Sequence, residues 1–168
     1  VLKQIGYDFI TTLTILLPIS LTINLLQVSK DYRYIHLPFY RQILTLSIPF
    51  VVLSLLLVTK LKLNIGSIVG LFLIVAALKS VYAPFNRLIE SLVRYERTYF
   101  TVMGIVHGLT NLGGSLLTAI IHSKQYDKHQ TRATTAVSYG TFALFQLVTL
   151  SLSLGPSAIA TSRPMPWA

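Results

Sequence analysis

Residues 100–121 read FTVMGIVHGLTNLGGSLLTAII, an apolar run that is long enough to cross a bilayer but contains two consecutive glycines. The hydrocarbon core of a bilayer requires about 20 residues of helix. Gly113 and Gly114 each weaken a helix by about 1 kcal/mol, and together they permit a break at membrane depth. The stretch therefore predicts an all-α membrane protein, a polytopic helical bundle with a broken or re-entrant glycine-rich segment.

Four more apolar runs indicate that the chain crosses the membrane repeatedly. They are continuous rather than alternating, and longer than the strands of a membrane barrel, which have about 10 residues each. Only 11% of the residues are charged, against about 25% in soluble domains. We predict five membrane segments, at residues 9–28, 43–59, 65–82, 100–121 and 133–154.

The connections between these runs are basic, and the formal net charge is +9. Positive charge between apolar runs sets topology and faces anionic lipid, so we predict a lipid bilayer as the partner rather than nucleic acid. Residues 29–42 combine Lys and Arg with Tyr, which is typical of an interfacial belt. Within residues 83–99 we predict a short amphipathic surface helix near Leu88–Tyr95, and residues 60–64 read as a tight turn.

The two ends of the chain differ from its middle. Val1 opens the sequence without a Met or a signal-peptide pattern, so we expect the start to be a cut. Residues 155–168 are rich in Pro and lack an apolar run, which predicts a disordered or non-native tail. We therefore expect one transmembrane unit over residues 1–154, as a fragment of a longer protein.

The glycine pair is also the first candidate for a binding site. Broken membrane helices present backbone N–H groups and the N-terminus of a half-helix to anions. Gly113 and Gly114 would allow that approach, and Ser115 would cap the second half-helix. Close helix packing without a ligand is the alternative reading of the same three residues.

His107 and Asn111 lie four positions apart and so share one helix face. A single His in an apolar run is more often a packing residue, although polar groups in lipid usually face a cavity or a partner. Gly104 and Gly108 form a GxxxG pattern, which lets two helix backbones approach closely.

Two candidate ligand-binding residues lie further away. Asn24 sits in the first run, three positions from Gln27, and the two amides could face one cavity. Ser and Thr residues of that run more often bond to carbonyls of their own helix. Arg132 opens the last run and could attract an anion, or it could extend to the interface.

Enzymatic chemistry is not indicated. All five acidic residues flank or lie outside the apolar runs, so no buried carboxylate pair is visible. The four His residues fall in different regions without acidic partners, which predicts no metal site. The chain has no Cys and no hydrolase, nucleotide-binding or zinc-protease motif, so we expect neither enzyme activity nor a cofactor.

Several of these residues resemble the sulfite exporter TauE/SafE family of permeases. The likeness is carried by GIVHGLTNLGGSLL, by the polar loop after it and by Arg132-Ala133-Thr134, with LLPISLTINLLQ as a looser match. It covers about residues 4–154. The family's glycine-rich segment of the first half would then lie before Val1, and its last helices are missing after Leu154, where the Pro-rich tail stands instead.

This resemblance implies a multi-pass permease of the bacterial inner membrane. Its substrates would be small anions of the sulfite, sulfonate or thiosulfate class, moved by secondary transport with H⁺ or Na⁺ as a possible coupling ion. A non-transporting membrane scaffold, or an inactive truncated permease, is the alternative. Counting the Lys and Arg of each loop favours a re-entrant 100–121 segment, with Tyr99 and Lys124 together on the cytoplasmic side.

Overall fold

The computed structural model describes most of the chain, in the ranges 9–61, 66–70, 73–74 and 94–154. Those ranges are helical and contain no strand, which confirms the all-α prediction. Three helices are long and apolar enough to cross a membrane: Ile10–Tyr34, Leu37–Leu61 and Lys128–Ser153. Most of the predicted 65–82 segment, most of the predicted surface helix and the tail lie outside the described residues.

Residues 66–70 and 73–74 are helical, and six further α-helices have both ends in the described ranges. In chain order they are α1 (Phe9–Asp31), α2 (Leu37–Gln42), α3 (Ile48–Leu61), α4 (Glu96–Thr110), α5 (Gly114–Ser123) and α6 (Lys128–Leu154). A 3₁₀ turn, Tyr32–Tyr34, follows α1, and a π-turn, Ile43–Ser47, joins α2 to α3. The helices extend beyond the predicted apolar runs, because polar and aromatic residues continue each helix past its apolar part.

The start of α2 shows why the second segment begins earlier than its predicted boundary at residue 43. Pro38 stands in the first turn of the helix, where its missing N–H costs nothing. The side chain of His36 caps the same turn, since its Nδ1 accepts a hydrogen bond from the Phe39 N–H at 3.3 Å. A capped start and a proline in the first turn therefore place helix where composition indicated a loop.

α1 and α6 run antiparallel and pack along much of their length. Leu13 and Leu17 of α1 join Ala143 and Leu150 of α6 in one buried apolar cluster, together with Leu55 of α3. The other side of α1 is exposed and apolar, as Ile19, Ile23 and Leu26 illustrate. An exposed apolar face of this extent is typical of contact with lipid or with further protein segments.

The GxxxG pattern lies where α4 packs against α3 and the π-turn before it. A Cβ on Gly104 would overlap the carbonyl oxygen of Ser47, and a Cβ on Gly108 would lie 2.5 Å from that of Val51. The Ser47 hydroxyl also donates to the carbonyl oxygen of Phe100 at 2.9 Å. The two backbones are therefore too close for any side chain larger than a hydrogen atom at either glycine.

The predicted break occurs between α4 and α5. Asn111 adopts the left-handed conformation, with φ at 57°, and its N–H bonds to the carbonyl oxygen of His107 at 2.8 Å. Gly113 then caps α5, which begins at Gly114. The prediction that Ser115 caps this half-helix is wrong: Ser115 is exposed, and its hydroxyl donates to the Leu112 carbonyl oxygen.

After the break the chain turns back on itself. Lys124, just beyond α5, forms an ion pair with Glu96 at the start of α4. The Tyr99 hydroxyl donates to the carbonyl oxygen of Leu116 at 2.7 Å. α4, the break and α5 therefore form a helical hairpin, with its tip at Asn111.

The two ends of this bundle differ in charge. α1 ends, and α2, α4 and α6 begin, at the end that carries the ion pairs of Glu96 with Lys124 and of Asp31 with Arg132. Of the Lys and Arg residues in the described ranges, only Lys60 lies at the other end. We call the first end the basic end; its cations are Lys30, Arg33, Arg41, Arg94, Arg97, Lys124, Lys128 and Arg132.

Candidate functional site at the helix break

A cavity of about 110 Å³ lies beside the break, between α1, α4 and α6. Its walls come from the middle of α1 and the middle of α6, so it lies halfway along both long helices. Apolar and polar side chains share the lining, which consists of Leu16, Leu17, Ser20, His107, Asn111, Tyr139, Ala143 and Gln146. We call this space the central cavity.

His107 contributes an imidazole that is almost completely enclosed. Its side chain belongs to a residue only 4% exposed, and its ring lies against the Phe142 ring with centroids 4.5 Å apart. A Cβ on Gly113 would lie 2.5 Å from the His107 Cβ, so the absence of a side chain at Gly113 makes room for the imidazole. Nδ1 of His107 has no hydrogen-bond partner among the described residues.

Gln146 on α6 is the second enclosed polar group of the central cavity. The residue is 1% exposed, and neither Nε2 nor Oε1 has a partner in the described part of the chain. Gln146 lies near the imidazole of His107, but the two side chains do not reach hydrogen-bond geometry. Buried polar atoms are nearly always paired, so three such atoms around one cavity indicate a ligand or ordered water.

Tyr139 connects the hairpin to the central cavity. A Cβ on Gly114 would overlap the Tyr139 hydroxyl and come within 3.0 Å of its ring, so the start of α5 is packed directly on the phenol. Asn111, at the tip of the hairpin, lines the same space. Because Gly113 and Gly114 have no side chains, the N-terminus of α5 can lie close to the cavity without obstruction.

The structure brings together only some of the residues predicted to bind a ligand. His107 and Asn111 line the central cavity, and Gly113 and Gly114 contact its lining residues. Asn24 does not line the cavity: its amide donates to the Ser20 carbonyl oxygen at 2.7 Å and to the Ser20 hydroxyl at 3.2 Å. Gln27 does not line the central cavity either, so the two amides do not face this cavity together.

Arg132 lies at the basic end rather than at the central cavity. One of its guanidinium nitrogens bonds to both carboxylate oxygens of Asp31, at 2.8 Å and 2.7 Å. Asp31 is 7% exposed, while the Arg132 side chain remains open to its surroundings. The prediction that Arg132 attracts an anion gains no support from this position, since its charge already neutralises a buried carboxylate.

Aromatic residues surround these ion pairs at the basic end. Tyr126, between α5 and α6, stacks on His36 with ring centroids 4.6 Å apart, and its hydroxyl lies 3.1 Å from His36 Nδ1. Burial is the main cause that raises the pKa of the Tyr126 phenol, and the negative charge of Glu96 raises it further. Tyr126 therefore stays protonated and can donate to His36. Tyr32 and Tyr34, in the segment 29–42 for which an interfacial belt is predicted, are exposed beside this cluster.

Sequence reasoning did not single out Gln146 or Tyr139. A signal for Gln146 was present, because an amide within the apolar stretch ALFQLV of a helix that is long and apolar enough to cross a membrane is itself a candidate functional group. Among the described residues, no group of three His, Cys, Asp or Glu could hold a metal ion. Comparison of the chain with protein-family models, curated proteins and solved structures gives no match.

Proposed function

We propose that the chain belongs to a secondary transporter of small anions, similar to the TauE/SafE permeases. α1, the continuous helix from α2 to α3, and α6 cross the membrane, and the hairpin of α4 and α5 enters it from one side and returns. The central cavity binds the transported anion. The resemblance to this family suggests sulfite, sulfonates and thiosulfate as the class of substrate. It also suggests the bacterial inner membrane as the location of the protein.

The observation that carries this proposal is the unpaired state of His107 and Gln146 beside a cavity in the middle of the bundle. An unsatisfied buried polar group costs about 1–3 kcal/mol. A protein that needed only helix packing would be more stable with apolar side chains at both positions. A ligand that enters the cavity and forms hydrogen bonds with these groups explains why the side chains of His107 and Gln146 are polar.

The helix break supports an anion rather than a cation. α5 points its N-terminus, which carries a partial positive charge, toward the tip of the hairpin. The described residues of the cavity lining provide amide, hydroxyl and imidazole groups but no carboxylate. Each polar group there can donate a hydrogen bond, so the site offers an anion several donors without a negative charge.

The lengths of α4 and α5 support a re-entrant hairpin. They have 15 and 10 residues, or about 22 Å and 15 Å at 1.5 Å per residue. Neither reaches across a hydrocarbon core of about 30 Å. The basic end, which holds both ends of the hairpin, is on the cytoplasmic side because Lys and Arg concentrate in cytoplasmic loops.

The exposed apolar face of α1 favours a second candidate, a membrane scaffold that binds other helices and transports nothing. Uptake decides between the two. The protein, expressed from its complete reading frame, is reconstituted in liposomes and tested with labelled sulfite, thiosulfate and a small sulfonate. A transporter accumulates at least one of them above protein-free liposomes, and a scaffold accumulates none.

The same assay tests the site. We expect His107→Phe, which keeps an aromatic ring against Phe142 but removes both ring nitrogens, to reduce uptake at least tenfold. Thr149→Val is the matched control on α6, because the Thr149 hydroxyl is buried but bonds to its own helix at Phe145. Uptake that is unchanged by His107→Phe would remove the central cavity from the transport path.

A further inference from the structure

We infer that the central cavity selects small anions that carry a hydrogen-bond donor of their own, and that Gln146 makes this selection. The inference rests on the proposed function, since it specifies which anions the site takes. Its basis is the hydrogen-bonding capacity left unused by the carboxamide of Gln146. It distinguishes singly protonated or amino-bearing oxyanions from oxyanions that can only accept hydrogen bonds.

The carboxamide has two chemically different ends, and neither has a hydrogen-bond partner within the described part of the chain. Nε2 is a donor and needs an acceptor, whereas Oε1 is an acceptor and needs a donor. Exchanging the two ends does not alter this requirement, because one donor and one acceptor remain unpaired in either orientation. A ligand that pairs with Gln146 completely must therefore present at least one acceptor and one donor.

A plain oxyanion satisfies only half of this requirement. Its oxygens accept from Nε2, from the His107 ring and from hydroxyl groups such as that of Tyr139, but nothing in it donates to Oε1. A water molecule can fill both roles, and a ligand that displaces water without replacing its hydrogen bonds loses affinity. Sites that hydrogen-bond a ligand hydroxyl or amine reject the analogue without that group strongly.

The size of the cavity limits the ligand further. Drug-sized ligands occupy pockets of about 300–1,000 Å³, whereas the central cavity has about 110 Å³. It therefore accommodates an anion of a few heavy atoms but not a long-chain sulfonate. Leu17 and Ala143 form apolar wall beside Gln146, which leaves the polar groups to determine the orientation of the ligand.

Another arrangement of the same residues makes the opposite prediction. If the protonated Nδ1 of His107 turned to donate to Oε1 of Gln146, only donors would remain for the ligand. The site would then bind plain oxyanions as well as donor-bearing ones. The two arrangements differ in a measurable preference between anions of the same shape.

Sulfamate and methanesulfonate provide that comparison. Both are tetrahedral monoanions of nearly equal size at neutral pH, and they differ in an amino group against a methyl group. Their dissociation constants are measured by calorimetry on the purified protein from the complete reading frame, alongside uptake of labelled sulfite and thiosulfate. We expect sulfamate to bind at least about tenfold more tightly, the effect of one unpaired buried acceptor.

Gln146→Met assigns the preference to its residue, since Met has a similar length and no hydrogen-bonding amide. The ratio of the two dissociation constants should fall below about threefold in this variant and stay at its original value in Thr149→Val. Because the wild-type ratio is itself diagnostic, the test does not depend on the folding of a variant.

The outcomes separate this inference from the proposed function. Equal binding of the two probes, or uptake of thiosulfate in preference to sulfite, overturns the donor requirement and leaves anion transport standing. A sulfamate preference that survives in Gln146→Met overturns the role of Gln146. Absence of both probe binding and sulfur-anion uptake overturns the proposed function together with the inference.

Discussion

Lys124 forms an ion pair with Glu96, although 28 positions separate the two residues. Glu96 begins α4 and Lys124 follows α5, so the contact places the entry and the exit of the glycine-containing hairpin side by side. The same hairpin carries His107 and Asn111 to the central cavity. A single chain reversal thus accounts both for the position of the candidate site and for the charge difference between the two ends of the bundle.

This reversal makes a topological prediction. Because the chain has no Cys, Glu96→Cys and Lys124→Cys each introduce a single thiol. We expect an impermeant thiol reagent to label both from the cytoplasmic side. Lys60→Cys, at the far end of α3, is the control and should react only from the opposite side. Labelling of Lys124→Cys together with Lys60→Cys would mean that residues 100–121 cross the membrane completely.

Because α4 lies close to a neighbouring backbone at Gly104, Ala substitutions at Gly104 and at Gly70 should differ strongly in their effect on thermal stability. Gly104→Ala places a methyl group against the Ser47 carbonyl oxygen, a backbone atom that cannot move aside. Overpacking costs about 1–3 kcal/mol, more than the roughly 1 kcal/mol that Ala contributes to helix formation. We expect lower thermal stability in detergent for Gly104→Ala.

Gly70 is the matched control for this prediction. A Cβ at Gly70 meets no atom of the described residues within 4 Å, so Gly70→Ala should leave thermal stability unchanged or raise it slightly. If Gly104→Ala and Gly70→Ala shifted the melting temperature equally, helix propensity rather than backbone contact would explain the effect, and the close packing of α4 on the π-turn before α3 would be refuted.

The pair of Asp31 and Arg132 predicts an asymmetric response. Arg132→Gln leaves a carboxylate that is 7% exposed without its partner, and a buried unpaired charge is strongly unfavourable. Asp31→Asn leaves a guanidinium that is open to its surroundings. We therefore expect Arg132→Gln to lower the melting temperature more than Asp31→Asn does. Equal or reversed effects would show that the carboxylate is solvated.

The all-α fold of the described residues was predictable from the long, continuous apolar runs. The break at residues 100–121 could be predicted from Gly113 and Gly114, although Asn111 is the residue that adopts the left-handed conformation. Helix boundaries were less predictable. Lys128 and the polar residues after it extend α6 beyond its apolar part, which composition does not reveal.

The candidate site was predictable only where its residues are close in the sequence. Helical spacing indicated that His107 and Asn111 share a face, and both line the central cavity. Gln146 comes from another helix, and its relation to His107 depends on how α4 and α6 pack. For the same reason, the ion pair of Arg132 with Asp31 could not be inferred, since the two residues are 101 positions apart.

The contact between Gly114 and Tyr139 gives the sharpest test of how the hairpin shapes the central cavity. Gly114→Ala pushes its methyl group onto the phenol, whose outer end can yield only by moving relative to the cavity. We expect this substitution to reduce sulfur-anion uptake about tenfold. The Tyr139 hydroxyl oxygen is the atom nearest to the new methyl group at position 114. Tyr139→Phe removes this oxygen and so provides part of the space that the methyl group needs.

The double variant Gly114→Ala/Tyr139→Phe should therefore retain more uptake than the product of the two single effects. A coupling of about 0.5–3 kcal/mol is usual for residues in contact. Gly113→Ala is the control, because its Cβ would meet the Cα and Cβ of His107. Tyr139→Phe cannot relieve this overlap, so the effects of Gly113→Ala and Tyr139→Phe on uptake should be additive. Independent effects of Gly114→Ala and Tyr139→Phe on uptake would mean that α5 does not rest on this phenol, and the cavity at the helix break would need a different wall.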